Sequence, residues 1–474
     1  MLGKKYKNYQ LFVIVSTILI ILYSIYIDNE NGYFFMFLIP LTYLICFCFA
    51  KQFNKLSSNY NGMFILNILM YIKYSLSIFI IDFFKDYYSK SFYVISPNES
   101  LVKEAIVYIL IEIVSIFIII FFFGKKIYGS FDNEKNDEKQ NNKVVEKYSV
   151  RIFLILFLGI SFLLSIIFRK TFIPQSLFSE NSIENEYDSN ALSVIFWTFK
   201  FFVSGIMINW FIYLFQKKKK MIYVVLSYTM IMIFIILNTS NSRINMLLPL
   251  LFFFTITDPI FKKKGRILIV VSSIILLSSL SAITVYKNPY HYKEVNGNIG
   301  IMLSSLDGIQ EYTSNIRPVA FGLSAIRTFD REINFTTFFN DILGSIPVVS
   351  HPINQNNRIN FYYNLYVLNG KNNSQIIPMS VSSIAYFSPF LSSFLVSLNM
   401  LLLMIIDSNE RKREKKNFIS RYLNLYLLFI FAASINCNTQ ILIGRLFTKY
   451  LPIALLYFLN NYFTVRKERV LDEK

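Results

Sequence analysis

EAIVYILIEIVSIFIIIFFF, residues 104–123, is a run of twenty residues in which only Glu104, Tyr108, Glu112 and Ser115 carry polar groups. About 20 residues of helix, rising 1.5 Å each, cross the roughly 30 Å hydrocarbon core of a bilayer. Similar runs recur along the whole 474-residue chain, which is 54% hydrophobic and only 16% charged. A soluble chain carries about 25% charged residues. The sequence therefore reads as an all-α, polytopic integral membrane protein.

Working outward from this run gives twelve expected spans, at about 10–27, 33–50, 62–84, 104–123, 150–168, 191–215, 221–238, 244–260, 266–285, 379–406, 422–437 and 447–464. The span at 244–260 is short and holds Pro249, which suits a tilted, broken or re-entrant helix. Lys4, Lys5 and Lys7 before the first span give it the look of a signal peptide. No small-residue cleavage site follows and a second span comes at once, so it reads as a retained helix. No internal repeat is visible. The three cysteines, Cys46, Cys48 and Cys437, supply neither a disulfide framework nor metal-ligand spacing.

The net charge of +18 does not point to nucleic acid, because the basic residues stand in short clusters between apolar runs. With the N-terminus inside, the inner segments hold 30 Lys and Arg, about twice as many as the outer ones. The clusters at 217–220, 262–264 and 411–416 all fall on the inner side. Both termini are then expected in the cytoplasm. The chain divides into an N-terminal four-helix membrane part (1–123), a cytoplasmic linker (124–149), a central membrane part (150–285), a large extracytoplasmic loop (286–378) and a C-terminal membrane part with its tail (379–474). The linker centre, FDNEKNDEKQNN, is polar and of mixed charge, as flexible segments are.

The 286–378 loop collects the versatile side chains. It holds both histidines, His291 and His351, and the arginines Arg317, Arg327, Arg331 and Arg358. Its apolar stretches suit short amphipathic helices lying on the membrane face. Arginine's planar fork binds phosphate oxygens bidentately and stays charged at any relevant pH, so these four are candidates for an anion site. The competing reading is a solvated loop in which Asp330 and Glu332 pair with Arg327 and Arg331. Arg243 lies in a short outer turn, NTSNSRINMLL, and Arg445 stands before the last span. Each is either a snorkelling interfacial residue or a ligand for the phosphates of a lipid-linked substrate. An imidazole ordinarily titrates near neutrality, so His351 is a candidate general base, with Asp330, Glu332 and Asp341 as rivals. Phe361, Tyr362, Tyr363 and Tyr366 suit either sugar stacking or an aromatic interface belt. There is no phosphate-binding glycine loop, no HExxH and no GxSxG. No metal or cofactor is expected. Intramembrane charge is sparse, namely Lys73, Lys200 and Glu112, where ion-coupled transport usually needs more.

Several features together resemble the Wzy-type O-antigen and capsular polysaccharide polymerases. They are the many spans, the outer turn with Ser242, Arg243 and Leu247, one large late outer loop, and the loop end NSQIIPMSVSSIAYFSPF before a long span. The likeness covers roughly residues 150–464 and extends to the related O-antigen ligases. Arginine and glycine separated by ten residues occur in some polymerases; here eleven residues lie between Arg358 and Gly370. Neither histidine meets the corresponding histidine–glycine spacing of the ligases. The resemblance implies metal-independent glycosyl transfer on the outer face of the bacterial cytoplasmic membrane. Oligosaccharide repeat units on undecaprenyl diphosphate would be both donor and acceptor, and a chain-length regulator protein is an implied partner. Arg243, Arg317, Arg327, Arg331, Arg358 and Arg445 would bind the diphosphate, and His351, Asp330 or Glu332 would deprotonate the attacking hydroxyl. The alternatives are a lipid-linked oligosaccharide flippase or transporter, and the ligase.

Overall fold

The computed structural model describes residues 2–27, 33–83, 98–129, 150–172, 191–237, 257, 260–261, 265–268, 271–272, 313–347, 349–350, 353–354, 356–368, 376–411 and 418–472. Among these, helix dominates and no strand occurs. In chain order the helices are α1 (Leu2–Tyr26), α2 (Leu38–Phe49), α3 (Lys51–Asn59), α4 (Asn61–Tyr71), α5 (Ser77–Phe83), α6 (Glu99–Tyr128), α7 (Ile152–Ile167), α8 (Arg169–Phe172), α9 (Ala191–Lys218), α10 (Met221–Leu237), α11 (Ile316–Thr328), α12 (Phe335–Leu343), α13 (Ile359–Leu368), α14 (Met379–Tyr386), α15 (Phe394–Arg411), α16 (Phe418–Ala432), α17 (Thr439–Arg445) and α18 (Leu451–Asp472).

Among the described residues seven helices are long and apolar enough to cross a membrane: Tyr6–Tyr26, Asn61–Phe83, Glu99–Tyr128, Ala191–Lys218, Pro389–Asn409, Ile419–Asn436 and Thr439–Asn461. An eighth arises if the pair Tyr33–Phe49 and Lys51–Asn59, bent by 79°, counts as one span. The expected spans at 150–168 and 221–238 correspond to shorter apolar helices, Ile152–Ile167 and Met221–Ile236. Most of 244–260 and 266–285 lies outside the described residues. The run 379–406 is continuous by hydropathy but folds as two elements. α14 ends at Tyr386, and Ser388 followed by Pro389 opens a separate helix. Proline lacks the N–H that would continue the first ladder.

The chain forms two compact units. In the unit made of Met1–Asn133, Val295–Arg413 and Leu428–Ile443, α6 is the central element. Its thirty residues extend about 45 Å. The Asn98 side chain caps its start by accepting from Ser100 N at 2.8 Å, with Glu99 in the first turn. Lys125 and Lys126 complement the dipole in the last turn, and Gly129, at φ 75°, ends the helix in the left-handed region that glycine tolerates. The start of α4 is capped by a residue far along the chain. The buried Asp407 carboxylate accepts from Gly62 N and Met63 N, each at 3.0 Å, and from Tyr128 Oη at 3.2 Å. A Cβ at Gly62 would lie 2.8 Å from Asp407 Cγ, so only glycine admits the carboxylate.

The other unit comprises Glu134–Glu294, Glu414–Leu427 and Gly444–Lys474. Its helices are held by aromatic and cation–π contacts, including Phe201 on Tyr422 at 4.7 Å and Lys449 over the Trp197 ring at 4.8 Å. Lys200, inside the α9 span, lies over the Phe172 ring at 4.7 Å.

Candidate functional site

Within 313–368 the described residues form α11, α12 and α13, with Asp330, Arg331 and Glu332 exposed in the turn between the first two. α11 packs along α6, and its first turn lies deep in the unit. Asn315 Nδ2 donates to Lys73 O at 2.8 Å and to Ser77 Oγ, both near the middle of the Asn61–Phe83 helix. At the other end of α11, Arg327 Nη2 meets the Glu104 carboxylate at 2.6 Å, close to the start of α6. α11 therefore climbs from mid-helix depth toward the Glu99 end of α6. Its composition, with two arginines and two serine or threonine hydroxyls, reads as an outer segment. It packs against α6 and α13.

Where α11 begins, three interruptions of regular helix meet. Between α4 and α5 the backbone widens into a π segment, Ile72–Leu76. After α16 a short 3-10 turn, Ala433–Asn436, ends in extended Cys437. Ser314, with φ 51°, precedes α11 in the left-handed region that a residue with a Cβ rarely adopts. Ser314 Oγ donates to Asn436 O at 3.0 Å, tying the last two together. At this junction Lys73 Nζ donates to Glu112 Oε1 at 2.6 Å and to Ile435 O at 2.5 Å, and Tyr74 Oη donates to the same Glu112 oxygen at 2.6 Å. Lys73 stands eleven residues after Gly62. That is about 16 Å along the helix, roughly half the apolar thickness of a bilayer. The pair thus stands near the middle of both helices. π segments and buried intramembrane charges both concentrate at functional sites.

A second polar cluster surrounds Asp341. α12 begins with a capping box: Asn334 Oδ1 accepts from Thr336 N at 2.9 Å, and Thr337 Oγ1 accepts from Asn334 N at 3.2 Å. The helix turns Thr337 and Asp341 inward. Asp341 is fully buried. Its carboxylate accepts from Tyr386 Oη, Gln440 Nε2 and Ile359 N, the last at 3.2 Å, and Arg358 Nε lies 3.5 Å away. Arg358 extends the cluster by donating to Gly344 O at 3.2 Å and Ser345 Oγ at 2.8 Å. A Cβ on Gly344 would lie 3.3 Å from Arg358 Cζ, so the guanidinium lies against a position with no side chain. Burial pushes the Asp341 carboxyl up from 3.8 to about 6; its hydrogen bonds from Tyr386, Gln440 and Ile359 N and the charge of Arg358 oppose that rise. Between the two clusters, Asn360 Oδ1 accepts from Asn438 Nδ2 at 2.9 Å and from Ile377 N at 3.1 Å. Asn438 Oδ1 in turn accepts from Ile441 N at 3.0 Å at the head of α17.

Among the described residues, the structure places the sequence candidates Arg358 and Asp341 together, as partners in one buried clamp. Arg317 is buried at 4% exposure on the first turn of α11. Arg327 is exposed but paired with Glu104. Asp330, Arg331 and Glu332 are exposed in the turn between α11 and α12. Among the described residues, neither carboxylate pairs with Arg327 or Arg331. Arg445 ends α17. Of the aromatic run, Tyr363 is core, Tyr366 Oη accepts from Ser324 Oγ at 2.6 Å, and Tyr362 packs on Phe329 at 5.3 Å. Arg243, His291 and His351 lie outside the described residues. The partners that sequence reasoning passed over are Gln440, Tyr386, Asn438, Asn360 and Asn315. The polar run NCNTQ, residues 436–440, inside otherwise apolar sequence was the available signal.

These features define an all-helical protein with several apolar helices of membrane-spanning length and a polar core where helices break. Comparison with family models, curated proteins and solved structures finds no match. The likeness to the polysaccharide polymerases accordingly rests on the sequence features alone.

Proposed function

We propose that the chain is a membrane glycosyltransferase of twelve spans that joins undecaprenyl-diphosphate-linked oligosaccharide repeat units into O-antigen or capsular polysaccharide. In this reading it lies in the bacterial cytoplasmic membrane, with both termini inside and the 286–378 segment on the outer side. The observation that carries it is the hydrogen bond from Gln440, at the head of the last long helix, to Asp341. Through it the arginine-bearing segment is fastened to the end of a membrane helix, where a sugar on a lipid carrier would be presented. Arg358 shapes that surface from within the clamp. Arg327 and Arg331, both exposed, bind the diphosphate and stabilise the charge that grows on it as the glycosidic bond breaks. Asp330, Glu332 or His351 takes the proton of the attacking hydroxyl. Replacement of Arg331 by alanine is expected to shorten the surface polysaccharide on a gel at unchanged protein level. Wild-type chain lengths would remove Arg331 from the site.

A second reading, a transporter of the same lipid-linked substrate, is favoured by one observation. The Lys73–Glu112 pair lies near mid-helix where helices break, an arrangement typical of transporter binding sites. Loss of the gene separates the two: single repeat units accumulate on the outer face if the protein polymerises them, and on the inner face if it transports them.

A further inference from the structure

α12 is amphipathic in the sense opposite to a water-facing surface helix. Its polar residues Thr337 and Asp341 are buried, while Phe335, Phe339 and Leu343, spaced four apart on one face, are 56%, 47% and 37% exposed. With nine residues, about 13 Å, it is too short to span a bilayer. We infer that α12 is an interfacial helix whose Phe335–Phe339–Leu343 stripe is embedded among the acyl chains of the bilayer.

Two observations select lipid rather than water or a protein as the occupant. The turn leading into α12 exposes the charged side chains of Asp330, Arg331 and Glu332, and the apolar stripe begins at once after it. That order, charge and then exposed aromatics, matches the passage from headgroups to hydrocarbon. The apolar surface is also continuous with a candidate span. Phe338 touches Phe387 at 5.7 Å, and Phe387 touches Phe394 at 5.2 Å, in the helix Pro389–Asn409. Phe390, at the head of that helix, is 98% exposed. The stripe therefore extends the flank of a helix that itself needs lipid around it. The inference stands on polarity and burial and does not depend on the polymerase reading. Its consequence is that the Asp341–Arg358 clamp lies directly behind a lipid-facing helix.

The test places a nitroxide spin label at Phe339→Cys in a Cys46→Ala, Cys48→Ala, Cys437→Ala background, with the protein in phosphatidylethanolamine–phosphatidylglycerol vesicles. Collision with oxygen, which concentrates in hydrocarbon, is compared with collision with a water-soluble nickel chelate. The expected oxygen-to-nickel ratio at 339 is several-fold above that of a label at Asp330→Cys. Phe335→Cys provides an independent position should the first variant fail to fold. A nickel-dominated signal at both 335 and 339 would show a water-facing helix. Low collision with both reagents would show a face covered by protein. Either result overturns the inference.

Discussion

Lys73 Nζ stands 2.6 Å from Glu112 Oε1, with the two side chains 1% and 2% exposed, near the middle of two helices long enough to cross a membrane. Two opposite charges so placed were taken out of water at a large desolvation cost, which their attraction and the added bonds to Ile435 O and Tyr74 Oη offset. Removing one partner strands the other. Lys73→Met alone is expected to destabilise the protein by about 3–5 kcal/mol, whereas Lys73→Met with Glu112→Leu recovers most of that loss. Thermal unfolding in detergent of the two single variants and the double variant reads the coupling. Additive losses would show that the pair is not coupled.

The Asp341 carboxyl provides a pH-dependent signature. Because its folded value, about 6, lies above the 3.8 of the free group, the folded state holds the proton more tightly than the unfolded state. This group alone thus lowers stability as pH rises from about 3.8 to about 6, by about 3 kcal/mol in full, and its contribution is constant above that window. Difference infrared spectra are expected to show a protonated carboxyl at pH 5 that is lost by pH 7 and is missing from Asp341→Asn. An unchanged band in that variant would assign the proton elsewhere.

How far these two clusters could be read from the sequence differs by mechanism. The seven helices of membrane-spanning length were readable because hydropathy is a local sum over about 20 residues. Lys73 and Glu112 were visible as charges inside apolar runs, but their pairing was not, since it depends on how the π segment after α4 meets α6. The depth of α11 was hidden for the same reason: Asn315 is polar in sequence, yet it satisfies Lys73 O and Ser77 Oγ inside the core. Arg358 was read as an anion ligand on chemistry alone. Its carboxylate partner stands seventeen residues earlier, and Gln440 joins from ninety-nine residues beyond Asp341, separations that carry no sequence signal.

Arg358 is not replaceable by lysine in this setting. A lysine keeps the charge beside Asp341 but cannot also reach Gly344 O and Ser345 Oγ with a planar fork. Arg358→Lys is expected to cost about 1–3 kcal/mol, the penalty for leaving a buried acceptor unpaired. Chemical unfolding of the purified variant checks the value; wild-type stability would show that the clamp is dispensable.

The cap on α4 gives a contrast between two small changes. Asp407→Asn keeps one of the two acceptor oxygens, so only one of Gly62 N and Met63 N retains its partner, and it is expected to cost less than Asp407→Ala, for which about 1–2 kcal/mol follows from the lost cap. Gly62→Ala forces its Cβ against the carboxylate and is expected to fall on the destabilised side as well. Melting temperatures of the three variants rank them. Asp407→Ala at wild-type stability would exclude the cap as a stabilising contact.

The central claim is that the protein joins repeat units rather than moving them. Purified protein is placed in liposomes with a lipid-diphosphate-linked oligosaccharide repeat unit supplied on the outer leaflet, and the products are resolved on a gel. The account predicts a ladder of chains lengthened by whole repeat units, without added metal. Single units that reach the lumenal leaflet with no lengthening would contradict it and establish the transporter reading instead.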